Sequence, residues 1–563
     1  MLNTRRHRPK RVGRILQTMT FKLKKEAVSK GQPLLFSHCV EKRYEAKQSF
    51  SCLHCMTSAK FKTYSRDQLQ LLPQSWEEKI QASHPVRIVD QVVETINLSK
   101  LYNSYKGGGT TSHNPKMLLK AVIYAYIRNI YSSRKIEDAI KSDINFIWLC
   151  GSCEPDHNTI NRFRSQKVAP VLKDIFKQIV LLLAGEGLVS LKEAYVDGTK
   201  IEANANRYTF VWGNAIKTNK EKMVKQLDEL WQYAEQVAKE ELRDTAPLDF
   251  KTIDADKVKE TVKHIEESIK DKEIPKKVRQ KLQYVKKNFP DKLDEYKAKE
   301  EILAGRNSYS KTDQDATFMR MKEDHMKNGQ LKPGYNIQVT SNNQIITNYD
   351  TFPNPTDTLT LPAHIESYKA LYGHAPEVVT ADSGYGSEQN YQYLEANDCT
   401  GYVKYNYFHQ EQQGERLKKY PFAAEHLHYN KEQDYYVCPM GQHMNNIGIY
   451  TKKNNNGFEQ TISRYQAKNC NGCPLRGICH KAKDNRIIEV NHNANHYKSK
   501  ARALLTSEEG IAHRKQRSQD IEPIFGNIKQ NKGFRRFMLR GKDKVTTEFG
   551  FIAIAHNLQK RAA

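Results

Sequence analysis

Between residues 84 and 186 apolar side chains return every three or four positions, the period of helices with one buried face. Pro115-Lys-Met-Leu-Leu-Lys-Ala-Val-Ile-Tyr-Ala-Tyr-Ile has this spacing, and so does the run from Val168 to Leu183. Between them, Ser132-Ser-Arg-Lys-Ile-Glu-Asp-Ala-Ile, a break at Cys150-Gly151, and Asp156-His-Asn-Thr-Ile-Asn-Arg-Phe-Arg predict helix, turn and helix, with Asp156 as N-cap of the second. The pattern changes to strand chemistry at 190–202, in Ala194-Tyr-Val-Asp-Gly-Thr-Lys-Ile-Glu. Residues 213–305 are dense in Lys, Glu and Gln and predict long, solvated helices inserted into something else, broken at Pro275 and Pro290. Strand patterns return at 332–352, where Asn342-Asn343 predicts a hairpin turn. A helix at about 358–372 and the apolar strand Glu377-Val-Val-Thr-Ala-Asp382 follow. Strands and helices in this order describe a mixed sheet with helical cover, an α/β layer domain interrupted by inserts.

With 38% hydrophobic residues, 30 Tyr and 20 Phe in 563, the chain has apolar material for several cores, which excludes a wholly disordered protein. No run approaches about 18 consecutive apolar residues and no apolar segment follows the N-terminus, so no membrane span and no secretory signal are expected, and the expected location is the cytoplasm. Ninety Lys and Arg against 64 Asp and Glu give a net charge of +26. Such an excess favours a polyanionic partner, because every neutralised phosphate releases condensed counterions. A merely basic soluble protein, or a binder of acidic membranes, would carry the same sum. Residues 1–55 hold 13 Lys/Arg and 3 Asp/Glu with little apolar periodicity. They read as a basic DNA-contacting arm or, the favoured reading, as sequence upstream of a native start at Met56. Ten cysteines are too few for a disulfide scaffold. Cys52 and Cys55 make a lone pair, and Cys150 and Cys153 read as ordinary buried thiols.

Two aspartates end apolar strand runs alike: Asp197 before Gly198, and Asp382 before Ser383-Gly384-Tyr385. Acids at strand ends of an open α/β sheet face a common crevice when their strands are neighbours, although strand-end Asp also forms routine turns. A third acid, Glu522, lies on a predicted helix whose Ile521, Ile524, Phe525 and Ile528 make an apolar stripe, with Lys529 seven residues on and on nearly the same face. Asp520 reads as a cap, Pro523 as a first-turn residue, and Gly526 as a point of close approach. Three carboxylates suit Mg²⁺ or Mn²⁺, and a pair of such ions would serve an in-line displacement at phosphorus. Lys529 and Arg517 would offer positive charge to phosphates. In the helical segment Asn158, Asn161, Arg162 and Arg164 are the side chains expected to reach DNA, with a plain helical bundle as the alternative.

Together, Pro155-Asp-His-Asn-Thr-Ile-Asn-Arg-Phe-Arg164, Tyr195-Val-Asp-Gly-Thr-Lys-Ile-Glu-Ala, Thr380-Ala-Asp-Ser-Gly-Tyr385, and Arg514-Lys-Gln-Arg-Ser-Gln-Asp-Ile-Glu-Pro-Ile-Phe-Gly-Asn-Ile-Lys529, with Ala555-His-Asn-Leu beyond, resemble bacterial insertion-sequence transposases of the DDE class over about 60–563. The resemblance implies an RNase H-like catalytic core with Asp197, Asp382 and Glu522 as its metal-binding triad, Lys529 beside it, and Arg514 and Arg517 on DNA. Lys515 and Ser518 stand where related enzymes carry a Tyr and an Arg. Glu548 is a rival third acid whose surroundings read as a packed C-terminal helix. The implied partners are double-stranded DNA, at transposon ends and target, and further copies of the chain in a synaptic complex, with no membrane. A bacterial, nucleoid-associated location follows.

The 139 residues between Asp382 and Glu522 hold Cys438, Cys470, Cys473 and Cys479 as C-x31-C-x2-C-x5-C, a thiolate set suited to structural Zn²⁺; reduced, unligated thiols are the alternative. The expected organisation is therefore a basic extension (1–55), an all-α DNA-binding domain (56–186) and an RNase H-like catalytic domain (187–563) with a charged helical insert (213–305) and a Cys-containing insert (405–510). The expected activity is binding of terminal inverted repeats followed by metal-dependent strand cleavage and transfer. A nuclease on the same core, or a catalytically silent, domesticated DNA-binding protein, are the rivals.

Overall fold

Proline at the first helical position starts both α1 (Pro85–Thr95) and α2 (Pro115–Ile127), where the missing N–H would have no helical partner in any case. This is a computed structural model that describes residues 75–105, 111–237, 253–270, 272–321, 329–454 and 457–562; the basic stretch 1–55 lies outside the described residues. The expected helix pair is α3 (Ser133–Ser142) and α5 (His157–Arg162), but a further helix, α4 (Ile144–Cys150), stands between them. Asp143 ends α3 and caps α4, accepting the Asn145 N–H at 2.9 Å. Asp156 caps α5 as expected, accepting the Thr159 N–H at 2.9 Å. After α6 (Leu172–Gly185) the chain enters β1 (Glu193–Glu202).

The charged segment is a three-helix unit. A short antiparallel ribbon of β2 (Phe210–Trp212) and β3 (Ser308–Ser310) brackets α7 (Gly213–Val237), α8 (Ala255–Ser268) and α9 (Lys276–Leu303). The helices enclose a core of their own, with Leu227, Trp231, Val258, Val262, Val285 and Phe289 buried together. Pro275 sits just before α9, but Pro290 lies inside it and does not end it as expected.

The main sheet is completed by β4 (Thr317–Arg320), β5 (Leu331–Asn342), β6 (Ile345–Phe352), α10 (Leu361–Tyr372), β7 (Val378–Ala381), α11 (Glu388–Ala396) and β8 (Thr400–Val403). The mixed sheet expected from the sequence is present, in the order β6-β5-β1-β7-β8, with β4 also pairing to β5. The first three of these run antiparallel, and β1, β7 and β8 run parallel to one another. The β5–β6 turn is Asn343-Gln344, one residue later than predicted, with φ of 58° and 60°. Two residues at positive φ make the turn whose twist matches paired strands.

Beyond β8 comes a second, antiparallel sheet that the hydrophobic pattern did not announce: β9 (His428–Asn430), β10 (Tyr435–Val437), β11 (His443–Lys453), β12 (Glu459–Ala467) and β13 (Ile487–Val490). Then α12 (His492–Thr506) meets α13 (Glu508–Gly526) at a sharp joint on Ser507, where Gly510 is obligatory because a Cβ there would strike the Leu504 carbonyl. A π-helical stretch, Asn527–Asn531, follows, and α14 (Lys542–Ala562) closes the chain. Phe549, Phe551, Ile552 and Ile554 of α14 are fully buried in one apolar cluster with α1, α2, α6, β5 and β6, so the N-terminal helices and the sheet share a core. Among the described residues no helix is long and apolar enough to cross a membrane.

The Ala555-His-Asn-Leu motif explains itself here. Asn557 accepts the Ile346 N–H and donates to the Ile346 carbonyl, both at 2.8 Å, pinning β6 to α14. His556 Nε2 faces the Gln344 carbonyl at 2.9 Å and Nδ1 faces the Asn527 amide nitrogen at 3.1 Å, so the neutral Nε2–H tautomer satisfies both. Burial holds this imidazole down at about 4, from an ordinary 6.5. A depressed folded-state value means stability that is whole above pH 6.5 and is lost as pH falls through 4. The 2.5-unit difference corresponds to about 3 kcal/mol. Denaturant unfolding of wild type and His556→Gln at pH 7.5 and pH 4 checks this: the wild type should lose about 3 kcal/mol more than the variant, and equal losses would refute it.

Candidate functional site

The carboxyl ends of β7 and β8 lie beside the middle of the parallel strand β1, which runs on past them to Glu202. Tyr195 pairs with Thr380, and Ala381 with Val403. Carried past these pairs, the same register sets Asp197 level with Asp382, and Asp382 level with Lys404, whose N–H donates to the Ala381 carbonyl at 3.4 Å. Asp382 and Lys404 thus follow the ends of β7 and β8, where ligands gather on open α/β sheets, whereas Asp197, expected at a strand end, lies inside β1, whose pairing with β5 continues to Glu202.

Each acid is held locally. Asp197 Oδ1 accepts the Gly198 N–H at 2.8 Å, and Oδ2 pairs with Arg517 Nη2 at 2.9 Å. Asp382 Oδ1 accepts the Gly384 N–H at 2.8 Å, capping the single turn Ser383–Tyr385. A further acid that the sequence reading passed over, Asp357, is anchored by Asn336 Nδ2 at 2.7 Å and Gln338 Nε2 at 2.8 Å on its Oδ1. At Gly198 a Cβ would run into Gln338 Nε2 and Asp357 Oδ1, so a larger residue there would displace the side chains that anchor Asp357. From the position a Gly384 Cβ would take, Asp382 Oδ1 is 3.0 Å away and Asp357 Oδ2 3.6 Å. The buried Tyr385 hydroxyl donates to Gln338 Oε1, and burial, then the charges of Asp357, Asp197 and Asp382, hold it well above its ordinary range. The charges of three carboxylates therefore act on one phenol.

The segment with the third acid differs from its sequence reading. Helix α13 begins three turns earlier than expected, capped by Ser507, so Asp520 is not a cap. It is fully buried and accepts Ser341 Oγ–H at 2.5 Å and the Gln344 N–H at 3.2 Å. Pro523 lies inside the helix rather than in its first turn. The Gln519 carbonyl, four residues back, is deprived of its helical donor and accepts Gln344 Nε2 at 3.0 Å instead. Ile521, Ile524 and Ile528 are buried as predicted. Glu522 is exposed and Arg517 buried. Gly526 has open space where a Cβ would stand, so no close neighbour explains it. The π-helical stretch breaks the seven-residue register, and Lys529 is buried whereas Glu522 is exposed. Lys529 lines a cavity of about 330 Å³ with Lys200, Arg207, Lys332, Arg535, Arg536 and Glu202, a strongly basic recess along β1 beyond Asp197.

Lys404, also missed from the sequence, is half-buried between signs. Burial, then the Arg517 and Arg514 guanidiniums, hold its ammonium below the usual lysine range, against the pull of Asp382 and Glu522. Arg514 lies over the Phe408 ring at 5.2 Å, and the Nε groups of both arginines are buried without a hydrogen-bond partner.

Of the side chains expected on DNA, Asn158, Asn161 and Arg162 are exposed. Arg164 is not: it is 2% exposed and donates to Tyr126 Oη at 3.1 Å and the Tyr131 carbonyl at 2.7 Å, so it braces the helices from within. Cys150 is buried, whereas Cys153 is exposed, contrary to expectation. Glu548 is fully buried, accepting the N–H groups of Met538 and Leu539, and its carboxyl is pushed up to about 7 by burial. Thr340, His364 and Asp350 form a hydrogen-bonded line at 2.7 and 2.5 Å like that of a nucleophile and its base, but Thr340 and His364 are fully buried and serve the fold. Among the described residues no group of three or more His, Cys, Asp and Glu is arranged to hold a metal ion. Cys438 packs against the core that holds Cys470, while Cys479 Sγ accepts Arg486 Nη1–H at 2.8 Å.

Two family models match the chain: Transposase DDE domain over residues 437–562 and Transposase domain (DUF772) over residues 74–166. The first covers the four cysteines, Arg514, Arg517, Glu522 and Lys529; the second covers Asn158 to Arg164; Asp197, Asp357, Asp382 and Lys404 lie outside both. No curated protein and no solved structure matches the chain.

Proposed function

We propose that this chain, which belongs by its two matched segments to the DDE-class transposases of insertion sequences, binds the terminal repeats of its element and cuts and joins DNA strands with Asp197, Asp382 and Glu522 as its triad. The observation that supports the reading is that Asp197 of β1 and Asp382 at the end of β7 each lie two residues beyond the Tyr195–Thr380 pair of these neighbouring parallel strands. Three antiparallel strands followed by two parallel ones support an RNase H-like core.

The donors fit a hard divalent ion, Mg²⁺ or Mn²⁺, in kind: they are carboxylates, and a guanidinium already stands as a cation against Asp197. When bound, such ions activate the attacking hydroxyl or water and neutralise charge on the departing oxygen. Asp197 and Asp382 are the residues to hold them, with Glu522 brought in from α13, and Arg517 must release Asp197 for this. Arg514 and the basic recess with Lys529 receive the phosphate backbone, and Asn158, Asn161 and Arg162 face the duplex. The location follows from the DNA, on the bacterial nucleoid. Two ends are brought together by more than one copy of the chain. A zinc ion on Cys438, Cys470, Cys473 and Cys479 would brace the second sheet once Cys479 leaves Arg486.

The test is cleavage of labelled duplexes carrying the element's own ends. In Mg²⁺ the protein should release 3′-hydroxyl ends and join them to target DNA, and in EDTA it should do neither. Cutting without joining would indicate a nuclease, and binding without cutting a silent DNA-binding protein.

A further inference from the structure

Beside Asp382 stands a residue that the triad does not use. Lys404 follows β8 directly, as Asp382 follows β7, and the Ala381–Val403 pairing makes the two neighbours. Its backbone is fixed from the other side, since Gly386 lies so close that a Cβ there would strike the Lys404 carbonyl. Its side chain is half-buried and feels the charges of Asp382 and Glu522 as well as those of Arg514 and Arg517. Among the described residues no ion pair or hydrogen bond engages its ammonium. A cation next to Asp382 in the sheet register, under the influence of two acids but paired with neither, is placed for a ligand that brings its own negative charge into the site.

We propose that Lys404 is a catalytic residue that binds a non-bridging oxygen of the scissile phosphate. This rests on the transposase reading above. In the ground state the ammonium donates to the phosphodiester oxygen. As the attacking oxygen adds and the leaving oxygen departs, it stays on the same oxygen and meets the negative charge that gathers there. No proton need be transferred, and the ammonium on its flexible stem follows the phosphorus as it moves through the displacement.

The experiment compares end duplexes with an ordinary phosphodiester or a neutral methylphosphonate at the scissile linkage, bound in Ca²⁺ by wild type, Lys404→Met and Lys404→Arg. If Lys404 holds that phosphate, the wild type should prefer the charged linkage, and the preference should shrink roughly tenfold or more in Lys404→Met and return in Lys404→Arg. An unchanged preference in Lys404→Met overturns the proposal, as does a wild type indifferent to the linkage. Unaltered thermal melting of the variants separates this from misfolding. If the wild type cuts its ends in Mg²⁺ but the preference is unchanged, only the role of Lys404 falls. If it neither binds nor cuts them, the transposase reading falls first.

Discussion

Asp382→Asn is expected to bind the element's ends within about twofold of wild type and to cut them at least about a thousandfold more slowly. The asparagine keeps the shape of the side chain and an oxygen for the Gly384 N–H, so the turn Ser383–Tyr385 should persist. It removes one negative charge from between Asp197 and Lys404 in the sheet register, where a divalent ion needs an anionic oxygen. Binding rests on surfaces elsewhere, such as Asn158, Arg162 and the basic recess around Lys529, and should be spared. Gel assays of cleavage and of end binding on one preparation distinguish the two effects. A variant that cuts at the wild-type rate removes Asp382 from the reaction.

Asp382 was legible because an apolar strand run that stops at Asp is a local pattern; Asp197 stops an apolar run in the same way but not its strand, which continues to Glu202, and the two strands proved to be neighbours in one sheet. Asp357 was not legible: it lies in a stretch without periodicity, and only the fold brings it to Asn336, Gln338 and Gly384. Lys404 is one of 90 basic residues, and nothing beside it in sequence marks it until β8 is seen next to β7. Helix α13 misled through Pro523, which reads as a helix start because proline removes a donor. The helix instead starts at the Ser507 cap and runs through Pro523, where Gln344, far away in sequence, supplies a donor to the Gln519 carbonyl that proline leaves unpaired. Arg164 misled for a related reason: it sits with the exposed Asn161 and Arg162, but a single π-helical turn at Phe163–Val168 carries it inward to Tyr126 and Tyr131. Periodicity reports which face a residue is on only while the helix keeps its pitch.

Arg517 links the resting fold to the chemistry. Its guanidinium and the Asp197 carboxylate meet at 2.9 Å with side chains 9% and 15% exposed, and the charges of Asp197, Asp357 and Asp382 act on one buried phenol, Tyr385. Without a cation, these carboxylates would repel one another in a partly desolvated site. Arg517→Met should therefore lower stability in EDTA by about 3 kcal/mol, the lower end of what breaking a buried pair costs. A divalent ion can supply the lost charge, so Mg²⁺ should raise the unfolding midpoint of Arg517→Met more than that of wild type, where the ion must first displace the guanidinium. Denaturant unfolding of both proteins with EDTA and with millimolar Mg²⁺ measures this directly. A larger Mg²⁺ effect in the variant makes Arg517 a resting-state substitute for metal on Asp197. Equal Mg²⁺ effects in the two proteins would mean that the ion and the guanidinium do not compete, and that the Asp197–Arg517 pair belongs to the scaffold alone.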